Sequence, residues 1–284
     1  MAKKILVLGG AGMLGQPSAR KLQQAGFAVR LMVRDVDKTR AIFADDFEIV
    51  PGDVTDLASL EKAMAGCQGV LISVGGVVDQ LSAENVTRLA PRLGVDQLIY
   101  LSGSTVKEEN SWYPMTAQKL NAEKAIRAGG VPYTILCPTW PIEQLPRFVM
   151  GGRATVIGIL PDPWHWFAAD DLARMIANAF QSEAAQGKRL YVHGPEGIPI
   201  KAALERYCQV FHPEIEEVAV MPIEAARSMA EATGNTFIKV FAEMMDYFKK
   251  VGEPGDPAEA NQLLGAPTTT LDDWLQTRQS ALES

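Results

Sequence analysis

Residues 4–15, KILVLGGAGMLG, constrain the fold more than any other stretch of the chain. An apolar strand runs directly into Gly9, Gly12 and Gly15 at G-x-x-G-x-x-G spacing, and QPSARKLQQAG beyond them has the spacing of an amphipathic helix. Such a turn brings backbone N–H groups and a helix N-terminus together with no side chains between them. A diphosphate can then approach closely and sit at the positive end of the helix dipole. Glycines alone mark turns everywhere. Flanked by a strand and a helix, these three predict dinucleotide binding, with Gly9, Gly12, Met13, Leu14 and Gly15 forming the cradle.

The rest of the chain continues the alternation. Apolar runs at 5–8, 29–33, 48–50, 70–74, 97–102, 133–136 and 190–192 read as strands, and the segments at 16–25, 37–44, 57–65, 80–93, 116–128 and 170–182 read as helices. Runs without strict polar alternation fit strands buried on both faces, so the fold class is α/β, a Rossmann-type doubly wound parallel sheet. Residues 1–193 are assigned to this dinucleotide-binding domain. Residues 194–284 form a smaller, mostly helical lobe with helices at 200–211, at 223–250 and from about Thr270, where Asp272 and Asp273 occupy a first turn. The Pro/Gly-rich stretches 138–163 and 252–267 read as loops or boundaries, and the loop over 138–166 contributes to the substrate lobe.

Charge and composition exclude several function classes. A net charge of −7 argues against a nucleic-acid or anionic-membrane surface. No uninterrupted apolar run of about 18 residues exists to span a membrane. Lys3 and Lys4 before an apolar stretch resemble a signal peptide, but the glycine turn and helix that follow point to a buried first strand. Cys67, Cys137 and Cys208 are few, odd in number and far apart, which predicts reduced thiols and a cytoplasmic location. A small-molecule substrate is therefore the expected partner, with monomer and homodimer both open.

Cofactor choice is set after the second strand, in VRLMVRDVDK. The guanidinium of Arg34 there can pair with a 2′-phosphate, with Lys38 as a second positive charge, which favours NADP. Asp35 is the competing feature, because a shift of one residue restores an NAD-like acid. Asp53 and Val54, in PGDVTD, follow the third strand. The Asp53 carboxylate either accepts from the adenine amino group or serves as a turn residue or helix cap. Ser73, Val74 and Gly75 end the fourth strand in LISVGG and let the cofactor ribose lie against the backbone.

GGAGMLGQ, VRDVDK, GDVTD, SVGG, YLSGS, KLNAEKAIRAGGVPYTILCP and FAADDLARMIANAF occur in that order. Together they resemble the NmrA-like, NAD(P)H-binding atypical short-chain dehydrogenases/reductases over about residues 4–200, and LLGAPTTTLDDWL resembles the closing helix of that family. The resemblance implies one of two functions. One is an NAD(P)H-dependent oxidoreductase that reduces a small, aromatic or quinone-like substrate by hydride transfer. The other is a non-catalytic NADP(H) sensor of the NmrA type.

Reduction by hydride needs a proton source as charge develops on oxygen. The wider superfamily uses Tyr-x-x-x-Lys, and Lys119 stands where that lysine would, with Met115 in place of the tyrosine. A thioether donates no proton, which disfavours sugar epimerase or dehydratase chemistry. The resemblance assigns Lys119 to the nicotinamide ribose; the alternative is a surface lysine paired with Glu123. Tyr113, just before Pro114, is a candidate proton donor. Ser102 is a second, facing the substrate or carboxamide with Ser104 or else merely shaping a Ser-Gly-Ser turn. Cys137 replaces the family's arginine after the sixth strand, and Pro138 and Thr139 flank the nicotinamide. Trp164, His165 and Trp166 either line a flat substrate pocket or cement the small lobe. His193 and His212 lack metal-ligand spacing, so no metal is expected.

Overall fold

In the computed structural model, which describes residues 2–283, the seven apolar runs become the seven strands of one parallel sheet. In chain order these begin β1 (Lys4–Leu8), α1 (Gly15–Gln24), β2 (Ala28–Val33), α2 (Val36–Phe43), β3 (Glu48–Pro51), α3 (Leu57–Met64) and β4 (Gly69–Ile72). They continue with α4 (Asp79–Leu89), β5 (Gln97–Leu101), α5 (Pro114–Ala128) and β6 (Tyr133–Pro138). Three strands follow, β7 (Val149–Met150), β8 (Arg153–Ile157) and β9 (Trp164–Trp166), and then α6 (Ala169–Gln181) and β10 (Lys188–Val192). The remainder is β11 (Glu196–Ile198), α7 (Ile200–Phe211), β12 (Val218–Met221), α8 (Ile223–Thr233), α9 (Thr236–Val251), α10 (Ala258–Leu264) and α11 (Leu271–Glu283).

The chain divides into two units. The first holds the residues up to Pro138, then Ala169–Val192 and Asp256–Pro267; the second holds Thr139–Ala168, His193–Gly255 and the residues from Thr268. The first unit is the sheet, ordered β10-β6-β5-β4-β1-β2-β3. Strand order reverses between β1 and β4, and open α/β sheets bind ligands at the carboxyl ends of the strands at such a switch point. Ile5 to Leu8 of β1 are fully buried, and every residue of β4 and β5 is buried, because helices cover both faces. The edge strand β3 lies half exposed, in keeping with its short and mixed run.

The second unit departs from the sequence reading in several places. The stretch 223–250, read as helical, is two helices, α8 and α9. Gly234 adopts a left-handed conformation (φ 66°) that closes α8, and the Asn235 side chain accepts the Ile238 N–H to open α9. The linker after α7 carries β12, which pairs in parallel with β8, and the 252–267 stretch carries α10 in the first unit. The loop over 138–163 contains β7 and β8, an antiparallel pair. Alternation in such short runs is too brief to separate strand from loop without the partner strand.

The WHW segment is β9, antiparallel to β11, and its tryptophans are core. Trp164 packs on Trp140 and Phe248 at ring-centroid distances of 5.6 and 5.0 Å, and Trp166 meets Trp140 edge-on at 5.5 Å. Trp166 Nε1 also donates to the Ile198 carbonyl. These indoles are thus internal cement of the second unit, which removes them as the walls of an open substrate pocket.

Candidate cofactor and active site

The glycine turn owes its shape to close backbone approaches. Gly9 has φ 82°, and a Cβ there would lie 2.1 Å from the Ser73 carbonyl oxygen, so the ends of β1 and β4 touch through a glycine. At Gly15 a Cβ would lie 2.0 Å from the Gly9 carbonyl, which ties the first turn of α1 to the end of β1. Gly12 differs: a Cβ would meet only the Gly9 carbonyl, at 3.1 Å, and the residue is exposed. Its open side is the space above the turn. Met13 and Leu14 are half-buried beside it, and Leu14 begins α1 without any side-chain cap. No acidic residue stands in the first turn of α1. Uncapped N–H groups without a competing carboxylate leave the helix N-terminus fit for an anion.

Arg34 and Lys38 are both exposed after β2 and make no salt bridge among the described residues. The Asp35 carboxylate accepts the Lys38 N–H (2.9 Å), which commits it to capping α2. Asp35 is thus engaged in a helix cap, while the Arg34 guanidinium is exposed. Asp53 accepts the backbone N–H and the hydroxyl of Thr55 (2.8 and 2.7 Å), an Asx-turn. Those two bonds, aided by the charge of Arg34, hold its carboxyl below the usual range. The Val54 carbonyl accepts from Asn85, Ser73 N–H donates to Leu8, and Gly75 lies exposed beyond β4.

Lys119 is held at the carboxyl end of β5. Its ammonium donates to Asp79 Oδ2 at 2.6 Å and to the carbonyl of Leu101, the last residue of β5, at 3.0 Å. Asp79 is nearly inaccessible and opens α4, whose N-terminal dipole favours a carboxylate. Its other oxygen accepts from the Tyr100 hydroxyl at 2.7 Å, and burial together with Asp79 pushes that phenol far above its ordinary range. Glu123, the expected surface partner of Lys119, is buried and belongs to a separate network. It accepts from Ser102 (2.5 Å) and from Arg189 of β10 (3.0 Å).

That network changes the reading of Ser102. Its hydroxyl donates to a buried carboxylate, which ties the end of β5 to α5. Arg189 also donates to the Val106 carbonyl at 2.7 Å, and its strand runs beside Cys137. Burial pushes the Cys137 thiol up to about 12. Ser104 is buried and its N–H donates to the Pro138 carbonyl. Thr139 opens the second unit, and its hydroxyl donates to the His165 carbonyl at 2.5 Å. Tyr113 caps α5 ahead of Pro114, with its hydroxyl 3.5 Å from Met115 Sδ. Sequence reasoning missed Asp79, Tyr100 and Arg189, since nothing local links positions 79 and 119.

A family model described as NAD(P)H-binding matches residues 9–182, from the first glycine of the turn to the end of α6. The chain belongs to this NAD(P)H-binding family. It is 25% identical over 95% of its length, and 96% of the relative's, to a (4-alkanoyl-5-oxo-2,5-dihydrofuran-3-yl)methyl phosphate reductase of Streptomyces griseus. An NAD(P)H azoreductase of Xenophilus azovorans is 24% identical over 70% of this chain and 72% of its own. In fold it is similar to the NADPH complex of the Escherichia coli quinone oxidoreductase QOR2, with a TM-score of 0.78, 22% identity, and coverage of 96% and 99% of the two chains. Gly9 and Gly15 close the turn, and Gly12 leaves it open above an uncapped helix, a geometry with room for the diphosphate of such a cofactor. The residues present fit the group. Among the described residues no helix is long and apolar enough to cross a membrane.

Removing the ammonium of Lys119 leaves the Asp79 carboxylate buried with Tyr100 as its remaining side-chain partner. Lys119→Met is expected to lose about 3 kcal/mol in denaturant unfolding. Adding Asp79→Asn should recover most of that loss. Equal stability of wild type and Lys119→Met would show that the pair is solvated and does not organise the site.

Proposed function

We propose that the protein is an NAD(P)H-dependent reductase of a small electrophile, aromatic or quinone-like in character, with NADPH preferred. The observation that carries this reading is Lys119, fixed by Asp79 and the Leu101 carbonyl at the carboxyl edge of β5. A lysine used only for surface charge has no need of a buried acid to hold it. The similar azoreductase and quinone oxidoreductase support the substrate class.

When bound, the nicotinamide supplies hydride. The chain's own residues bind and orient it. The Gly9–Gly15 turn and the α1 N-terminus hold the diphosphate, while Asp53, Val54, Ser73, Val74 and Gly75 border the adenosine side. Arg34 and Lys38 meet the 2′-phosphate, Lys119 takes the ribose hydroxyls, and Pro138 and Thr139 border the nicotinamide. Proton delivery falls to Tyr113 or water, because Met115 has no proton to give and Ser102 has committed its own. Buried thiols at positions 67, 137 and 208 suit a reducing, cytoplasmic compartment. One observation favours a non-catalytic cofactor sensor instead, the thioether of Met115 where a proton-donating phenol would serve catalysis.

NADPH absorbance followed against a panel of quinones, azo dyes and enones separates these readings. Turnover of at least one class is expected; no turnover across the panel, with cofactor binding intact, would leave the sensor. For cofactor choice, Arg34→Ala should weaken NADPH by roughly tenfold or more while leaving NADH nearly unchanged. Equal losses for both would refute the assignment of Arg34 to the 2′-phosphate.

A further inference from the structure

Two of the three histidines in the chain meet, with one carboxylate, in the second unit. His165 comes from β9, His193 directly follows β10, and Glu253 follows α9 across Gly252, whose φ of 62° turns the chain off the helix. The ligand-bearing atoms of all three lie within 4.8 Å of one another. The imidazoles are stacked at 28° with ring centroids 5.6 Å apart. Glu253 is fixed rather than floating: one oxygen accepts the His165 backbone N–H at 2.8 Å, and the other lies 2.5 Å from His165 Nδ1. Its side chain is only 6% exposed, whereas that of His165 is 42% exposed. A glycine backs the His165 ring, since a Cβ at Gly197 would lie 3.3 Å from Cε1 and Nε2.

We propose that His165, His193 and Glu253 form a binding site for a divalent transition-metal ion of borderline softness, Zn²⁺ in the first place. Two imidazoles and a carboxylate are a donor set that zinc accepts, and three protein ligands leave one position for water or a small oxygen ligand. The exposed side of His165 gives an entry path. Zinc–ligand bonds of about 2.1 Å place tetrahedral donors about 3.4 Å apart. The 4.8 Å envelope therefore contracts by roughly 1.4 Å and the 2.5 Å His165–Glu253 contact opens by about 0.9 Å, movements within reach of side-chain rotation. The His165 N–H bond to Glu253 then acts as the outer-shell contact that orients the ligating carboxylate. A buried carboxylate beside two imidazoles also gains compensating charge from the ion. Spacing along the sequence could not show this, because positions 165, 193 and 253 converge only through the fold. The inference stands apart from the reductase reading and does not depend on it.

The test is titration of the metal-stripped full-length protein with Co²⁺, followed by its visible ligand-field absorption, and with Zn²⁺ in competition with a chromophoric chelator. One equivalent should bind with the intense bands of a four-coordinate ion. Glu253→Gln and His165→Asn should each weaken binding by at least roughly tenfold. His212→Asn, which removes the remaining histidine, should leave it unchanged. Circular dichroism of the unliganded variants that matches wild type keeps a loss assignable to the site. Uptake by wild type no greater than by the His165→Asn/Glu253→Gln double variant would overturn the proposal, as would full affinity retained in either single variant.

Discussion

The fold and the site both depend on one close approach. Gly9 passes so near the Ser73 carbonyl that no side chain fits between them, and this contact joins the ends of β1 and β4 where the strand order reverses. Gly15 repeats the device between the first turn of α1 and the Gly9 carbonyl. Together they aim an uncapped helix N-terminus at the carboxyl edge of the sheet. Any Cβ at either position would push helix and strands apart, and with them the space that a diphosphate needs.

Around that turn, buried polar groups do the positioning. Asp79 serves Lys119 and Tyr100 at once, while Glu123 serves Ser102 and Arg189. Each carboxylate is answered by a cation and a hydroxyl, which is the condition under which buried charge is tolerated. The two networks both draw on the end of β5 and never share a partner. One keeps an ammonium at the end of β5, and the other braces α5 against β10. Arg189 reaches Glu123 from β10, the strand beside that of Cys137.

Much of the first unit was legible in the sequence because its signals are local. Strands buried on both faces give continuous apolar runs, glycine spacing marks the turn, and Pro114 opens α5. Asp35 was ambiguous for the opposite reason, since a shift of one residue exchanges it with Arg34 at the end of β2, and its bond to the Lys38 N–H is formed only in the fold. Long-range pairs escaped altogether: Asp79 with Lys119 spans 40 residues and Glu123 with Arg189 spans 66. In the second unit the short strands and the Gly234–Asn235 break went unread. Trp164 and Trp166 stood between two readings, because an aromatic cluster looks the same in sequence whether it lines a pocket or fills a core; their burial decides for the core.

If the open face of the glycine turn holds the cofactor diphosphate, Gly12 is the position that tests it with the least disturbance, since a Cβ there meets only the Gly9 carbonyl, at 3.1 Å. The direct measurement is titration of wild type and Gly12→Asp with NADPH, followed by nicotinamide fluorescence, with circular dichroism to confirm that the variant is folded. Saturable one-to-one binding by wild type, abolished by a carboxylate placed at the head of α1, is the predicted result. A folded Gly12→Asp protein that binds NADPH as tightly as wild type would contradict the account.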